Sequence, residues 1–301
     1  MGSQKEIVGI EIIKKAKTAS GSQLFSILIP SWNNLPYLKL CIESIRKNSS
    51  FKHQIIVHIN EGSDGTLQWI SEQPDVDYVH SAKNIGVCYA LNGCRSLIRT
   101  SYVVFMNDDM YVCPQWDKFL KDEIDSIGHP YFFLSSTAIE PEFSSNCAIQ
   151  KSYGHSISTF TESKLLEEFA TLPMNDWHGA TWPPNIVHVD IWDLVGGYSS
   201  EFSPGLYSDP DFSMKLWNLG VRLFKGVSKS RVYHFGSKSV NRVKKNSGYY
   251  RFISKWHITS GTLSTKYLFR GEPYKGLLGE PVLGFSVRMK NLFKGIISLL
   301  R

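Results

Sequence analysis

The chain has 301 residues, 42% hydrophobic, 13% aromatic and 20% charged, which supplies a full core and excludes a disordered or fibrous polypeptide. Its formal charge of +6 is unevenly spread: Met1 to Met214 holds 15 Lys and Arg against 25 Asp and Glu, whereas Lys215 to Arg301 holds 18 against 2. An acidic body with a strongly basic end suits a polyanionic partner, either an anionic membrane surface or a nucleic acid.

From the N-terminus, Lys and Glu alternate with apolar residues, unlike a secretion signal, and Glu6 stands where a myristoylation site needs Ser or Thr. Leu24 to Ile29 is a short apolar run stopped by Pro30, as a buried parallel strand would be. Leu35 to Arg46 sets Leu38, Cys41, Ile42 and Ile45 at helical spacing, Gln54 to Ile59 is apolar again, and Glu61 to Thr66 forms a turn. A helix over Thr66 to Glu72, a strand at Tyr78 to His80, a helix over Gly86 to Arg99 and a strand over Tyr102 to Met106 continue the alternation. That order predicts a parallel, layered α/β sheet. The second half is less regular, with a strand at Tyr131 to Ser135, a polar and aromatic insertion from Ser144 to Pro184, a helix through Phe212 and Leu219 closed by Gly220, and a strand over Arg231 to Tyr233 ending in His234. Five cysteines without a CxxC pair argue against disulfides and a thiolate zinc site and for a reducing compartment. No run of about 20 uncharged apolar residues offers a transmembrane helix.

Ligands of open α/β sheets bind beyond the carboxyl ends of the strands. Four polar clusters lie there: Trp32-Asn33-Asn34, Asn60 to Thr66, Lys83-Asn84 and Asn107-Asp108-Asp109. They predict one site built from four loops. The carboxylates of the last cluster sit at a rigid strand end, where a hard divalent ion could be held between protein oxygens and a diphosphate; a plain strand-ending turn would look the same.

The ordered segments Phe25 to Pro30, Gly62-Ser63-Asp64-Gly65-Thr66, Asn84-Ile85-Gly86, Phe105 to Asp109, Gly196-Gly197-Tyr198 and Asp209-Pro210-Asp211 resemble the inverting family 2 glycosyltransferases. The resemblance runs from about Phe25 to His234. It implies a GT-A fold, a Rossmann-like, mainly parallel central sheet flanked by helices, and an enzyme of the hexosyl- and glycosyltransferase class. It also implies a nucleotide-sugar site at Pro30, Ser31, Asn33, Asn60, Glu61, Ser63, Asn84, Gly86, Asn107 and Asp108. Asp109 and His234 match the residues that hold Mn²⁺ or Mg²⁺, which would neutralise charge on the departing diphosphate. Asp209 matches the base, with Asp211 the alternative; Asp209 would equally serve to cap a helix beginning at Pro210. Trp177, His178 and Trp182 fall where relatives bind the acceptor. Asn60 and Asn107 replace acids of the family pattern, and Ser208 stands where relatives carry the first acid of the Glu-Asp pair.

Beyond His234 the resemblance fades. Arg242, Lys244, Lys245, Arg251 and Lys255 interleave with Tyr249, Tyr250, Phe252 and Trp256, and Val282 to Arg301 places Phe285, Met289, Leu292, Phe293, Ile296, Ile297 and Leu300 among basic residues alone. This predicts an amphipathic helix that lies on an anionic membrane surface or docks on the catalytic domain. The expected organisation is an N-terminal extension over 1–23, a catalytic domain over 24–240 with a nucleotide-sugar half (24–110) and an acceptor half (111–240), and a basic helical extension over 241–301. The expected function is inverting transfer of a sugar from a UDP-, dTDP- or GDP-linked donor to a glycan or lipid-linked acceptor hydroxyl, at the cytoplasmic face of a membrane and in bacterial surface polysaccharide or glycolipid synthesis. No nucleic acid partner is expected. The competing expectation is a non-catalytic sugar- or polyanion-binding protein on the same scaffold.

Overall fold

Among the described residues eleven strands form one sheet, in the order β1 (Ile12–Lys15), β4 (Val76–Ser81), β3 (Gln54–Asn60), β2 (Phe25–Trp32), β5 (Tyr102–Phe105), β10 (Asn185–His188), β7 (Phe132–Glu140), β11 (Leu223–His234), β6 (Met110–Val112), with β8 (Ala148–Gln150) and β9 (Trp177–His178) added beside β7 and β11. The computed structural model describes residues 11–17, 21–236 and 247–299. At its heart β2 (Phe25–Trp32), β3 (Gln54–Asn60), β4 (Val76–Ser81) and β5 (Tyr102–Phe105) run parallel. Alternate residues of β2 enter different cores: Phe25, Ile27 and Ile29 pack with Leu38, Cys41, Ile42 and Ile45 of α1 (Leu35–Asn48), whereas Leu28 packs with Cys88, Leu91 and Cys94 of α3 (Val87–Cys94). Burial on both faces makes these strands near-continuous apolar runs. Between β3 and β4 lies α2 (Thr66–Glu72), and β1 (Ile12–Lys15) adds an antiparallel edge strand against β4.

Pro30 does not stop β2, which continues to Trp32 in register with β3, Pro30 opposite His58. The β5 ladder already ends at Leu28 and Phe105, with the Met106 amide donating to the Leu28 carbonyl. Leu28 and Pro30 face the same side, so the missing N–H of Pro30 points where β5 has turned away. The helix expected over Gly86 to Arg99 is also shorter, giving way after Cys94 to a 3₁₀ turn at Arg95–Leu97.

The second half comprises β6 (Met110–Val112), α4 (Trp116–Ile127), β7 (Phe132–Glu140), β8 (Ala148–Gln150), α5 (Glu162–Glu168), β9 (Trp177–His178), β10 (Asn185–His188), α6 (Val189–Leu194), α7 (Ser208–Asn218) and β11 (Leu223–His234). β10 enters antiparallel between β5 and β7, so apart from the edge strand β1 the sheet is parallel in its first half and mixed in its second. Four residues behind a Pro-Pro pair are too short to show a strand period, which is why the insertion read as irregular.

After β11 follow α8 (Gly248–Trp256), the single turn α9 (Ser260–Thr262), a π-helical turn at Leu263–Tyr267 and α10 (Phe285–Leu299). Phe252, Ile258, Leu263, Leu268 and Leu278 join the core on the α3 side of the sheet. The sequence boundary at 240, the basic residues Arg242, Lys244 and Lys245, the N-terminal residues around Glu6, and Leu300 lie outside the described residues. Among the described residues no helix is long and apolar enough to cross a membrane.

Candidate active site

A cavity of about 770 Å³ opens beyond the carboxyl ends of β2, β3 and β5, lined by Pro30, Ser31, Asn60, Asn84, Gly86, Asn107, Asp108 and Asp109 on that side. Each of the four polar clusters thus contributes to one concavity, as the connectivity of a parallel sheet dictates. Asn33, Glu61 and Ser63 do not line it. They bind one another beside it, the Asn33 amide donating to Glu61 Oε2 (3.1 Å) and the Ser63 N–H to Asn33 Oδ1 (2.9 Å). Asn60 Oδ1 accepts from the Ile85 amide (3.0 Å) and the Ser81 hydroxyl (3.3 Å), so this residue joins the β3 end to the Asn84 loop.

The two adjacent acids have different surroundings. Asp108 is buried and accepts from the Ser31 hydroxyl (2.7 Å) and the Asn34 amide (3.0 Å), tying the end of β2 to that of β5. Asp109 Oδ1 lies 3.4 Å from His234 Nε2, delivered by the end of β11. The other ring nitrogen, Nδ1, bonds Glu140 Oε1 at 2.7 Å, at the end of β7. Nε2 is buried and faces Asp109, the 3.4 Å separation making this contact longer than that of Nδ1 with Glu140. Burial disfavours charge on His234, but the adjoining Asp109 and Glu140 outweigh it and raise its pKa. Glu140 is likewise pushed up by burial and pulled further down by the His234 hydrogen bond, ending below its ordinary value.

That arrangement fits a divalent cation. A carboxylate holding Nδ1 is how metal-ligating imidazoles are oriented; a cation bound between Nε2 and Asp109 would take the place of the proton that the two acids otherwise favour there. Among the described residues no group of three or more His, Cys, Asp and Glu is placed to hold a metal ion. Two protein ligands suffice, however, where a substrate diphosphate and water complete the shell.

Asp209 occupies the first turn of α7 and lines the same cavity. Tyr198 delivers its hydroxyl to Asp209 Oδ1 (3.2 Å) while its ring stacks on Phe212 at 4.6 Å. Tyr198 is itself clamped by Asn92 of α3, which donates to its carbonyl (2.7 Å) and accepts from its amide (2.9 Å). Burial raises the Asp209 pKa to about 7, the Tyr198 hydroxyl only partly opposing it. Asp211, the alternative base, is ruled out of the cavity wall by its packing: it is fully buried, with Oδ1 held by the Trp256 indole N–H (2.9 Å) and the Lys255 ammonium (2.8 Å). It ties α7 to α8.

The three insertion residues separate. Trp177 lines the cavity with its indole N–H donated to Thr137 Oγ1 (2.9 Å), and Trp182 lines it while 41% exposed. His178 faces elsewhere, accepting the Lys275 amide at Nε2 (2.9 Å) beside the Tyr274 ring, and does not line the cavity. Sequence reasoning named Tyr198 only as part of the Gly196-Gly197-Tyr198 segment, without a role, and passed over Glu140 and Arg270. Glu140 had a usable signal, a charged residue ending β7; Arg270 had none, because its contact with Trp182 joins distant segments.

Residues 26–172 match the family described as Glycosyl transferase family 2. The GT-A fold is shared with the N-terminal part of Staphylococcus aureus TarS, at a TM-score of 0.57 and 13% identity over 92% of this chain and 71% of that one. The TarS structures with UDP and with UDP-GlcNAc align with TM-scores of 0.58, again at 13% identity, over 91% and 92% of this chain and 71% and 72% of theirs. The chain thus has a GT-A fold, and its residues 26–172 are similar to glycosyltransferase family 2. Among curated proteins it is 24% identical over 246 residues to the chondroitin synthase of Escherichia coli, covering 76% of this chain and 32% of the relative; the chain therefore spans about a third of that protein's length.

Proposed function

We propose that this protein transfers a glycosyl group from a nucleotide-diphosphate sugar to an acceptor hydroxyl, with inversion and with Asp209 as the base. The observation that carries the reading is a single cavity lined both by the strand ends that carry Asn60, Asn84 and Asp109 and by Asp209, a carboxylate whose pKa is raised to about 7. A base poised near neutrality is suited to taking a hydroxyl proton as the new glycosidic bond forms. Inversion by single displacement needs only one such base, with nucleophile and leaving diphosphate on opposite faces of the bound sugar. Asp109 and His234 would hold Mn²⁺ or Mg²⁺, which supplies Lewis-acid stabilisation of the leaving diphosphate. Glu140 keeps the imidazole oriented. The TarS complexes with UDP and UDP-GlcNAc favour a uridine nucleotide as donor.

The test is calorimetric titration of UDP, GDP and dTDP with and without Mn²⁺, into wild type and Asp109→Ala, followed by assay for donor turnover. Tight binding of one nucleotide that needs both Mn²⁺ and Asp109, with release of nucleotide from its sugar conjugate, is expected. Binding without turnover under every acceptor condition would instead favour the non-catalytic sugar-binding reading.

A membrane-surface setting is supported by the orientation of α10. The helix is seated through its polar side: Asn291 Oδ1 accepts from the Thr259 amide (3.2 Å) and the Thr262 hydroxyl (2.9 Å), and Ser298 meets Ser254 of α8 (3.1 Å). Phe285, Met289, Leu292, Phe293, Ile296 and Leu299 are exposed on the other side. Arg288, Lys290 and Lys294 are the charges of the helix, with no acid among them. An apolar stripe edged only by cations is complementary to an anionic bilayer. We place the enzyme at such a surface, the inner face of a cell membrane, acting on a lipid-linked or membrane-proximal glycan.

A further inference from the structure

Arg270 reaches the same cavity from the chain beyond the family-like region. Its backbone is firmly held. The Arg270 amide donates to the Ser264 carbonyl (2.9 Å), the Gly271 amide to the His178 carbonyl (2.9 Å), and the His178 amide to the Glu272 carbonyl (2.8 Å), so this segment runs as a short ladder along β9. Gly179 permits the approach: at φ +89°, a Cβ there would stand 2.7 Å from the Arg270 Cα. The guanidinium carbon lies 5.2 Å from the Trp182 ring centroid, at cation–π distance.

What sets this arginine apart is the absence of a counter-charge. Arg222 and Arg231 are spent on carbonyls or a carboxylate, and Lys225 sits between Glu123 and Asp176. Among the described residues no carboxylate pairs with Arg270 and no acceptor takes its guanidinium N–H groups. A half-buried guanidinium cannot shed its proton, and its fixed fork of donors matches a carboxylate or phosphate. It stands on the wall formed by the insertion, with Trp182 beside it and Asn146 under Gly271, rather than at the strand ends that carry Asn60 and Asp109.

We infer that Arg270, with Trp182, forms an anion-recognition subsite for the acceptor: the acceptor glycan carries an oxyanion, a uronate carboxylate or a phosphodiester, next to its reacting sugar. The inference rests on the transferase reading above and adds the chemical class of acceptor. A charge-assisted pair of hydrogen bonds shielded in a cavity favours an acidic over a neutral sugar by about tenfold or more.

The experiment titrates three probes into the UDP-saturated protein: a glucuronate-terminated disaccharide, the glucose-terminated counterpart, and a glucose disaccharide bearing a glycerophosphodiester. Wild type, Arg270→Lys and Arg270→Leu are compared, and UDP affinity is measured for each. The expected result is at least tenfold tighter binding of one acidic probe than of the neutral one, abolished in Arg270→Leu, partly kept in Arg270→Lys, with UDP affinity unchanged. Whichever acidic probe wins identifies the source of the oxyanion. Equal binding of all probes, no binding of any, or a preference that survives Arg270→Leu overturns the inference. So does weaker UDP binding in the variant, which would move Arg270 to the donor diphosphate. None of these outcomes decides the transferase reading itself, whereas loss of metal-dependent UDP binding in wild type would count against it.

Discussion

Asp209 is caught between two fields. The first turn of a helix favours an anion, and the Tyr198 hydroxyl supports the ionised form, yet burial dominates and raises its pKa to about 7. A general base must be ionised, so kcat/KM should rise tenfold per pH unit below about 7 and level off above it. Tyr198→Phe removes a hydrogen bond that lowers the pKa and should move this limb to higher pH. Asp209→Asn should cost 10²–10⁴ in kcat, the range of a lost acid–base group. The same raised pKa sets the sign of a stability effect. Because the folded pKa exceeds the unfolded one, stability linked to this proton is full below about pH 4 and is lost as pH rises through about 7. Asp209→Asn should therefore be more stable than wild type at pH 8 by about 1–2 kcal/mol, less than the shift alone implies because the cavity admits water. Asp211→Asn should do the reverse, losing about 1–3 kcal/mol by loosening the Lys255 and Trp256 contacts. Urea unfolding at pH 8 beside turnover separates the roles. Equal loss of turnover in both variants with no change in stability would leave Asp209 without its special place.

α10 inverts the usual arrangement of a surface helix, in which the apolar stripe faces the core and polar residues face water. Its spacing could be read from the sequence; its orientation could not, because Asn291 and Ser298 reveal themselves as the seated face only when Thr259, Thr262 and Ser254 are brought beneath them. The same limit hid β10, whose four residues acquire a strand identity from β5 and β7, and let Pro30 look like an end because the side of the strand its ring faces is not a property of its own segment. The outward stripe gives a direct test. Wild type should sediment with vesicles containing anionic lipid, less with neutral ones, and progressively less as salt rises. Leu292→Glu with Ile296→Glu, both on exposed positions, should abolish binding without lowering the melting temperature. Should the pair instead convert a dimer to a monomer in sedimentation equilibrium, with vesicle binding unaltered, the stripe serves a second copy of the chain.

At the scale of the whole molecule, the two halves meet along a seam of backbone contacts. The Val87 amide donates to the Pro204 carbonyl (2.9 Å) and the Ser203 hydroxyl to the Ile85 carbonyl (2.8 Å), while Asn92 grips Tyr198. The first half was legible because parallel strands buried on both faces write themselves as apolar runs ending in polar clusters. The seam was not, since it joins residues over 100 positions apart, and with it went the approach of Asp209 to the strand ends. Gly86 sits at its centre with φ +79° and ψ 165°, a conformation essentially restricted to glycine, and a Cβ there would lie 2.2 Å from Ser203 Oγ and 2.6 Å from the Pro204 Cα. The second contact is backbone and cannot be relieved by a rotamer. Gly86→Ala should cost about 2–5 kcal/mol from strain and overpacking combined. Because relief requires the halves to part, it should also weaken nucleotide binding. Gly128→Ala is the control: φ is +67° but nothing lies within 4 Å of the added carbon, so the cost is about 1 kcal/mol and nucleotide affinity stays the same. Chemical denaturation and UDP titration of the two variants side by side decide it. A Gly86→Ala protein as stable as Gly128→Ala, with undiminished affinity, would mean that the halves are held together elsewhere and that the cavity does not depend on this seam.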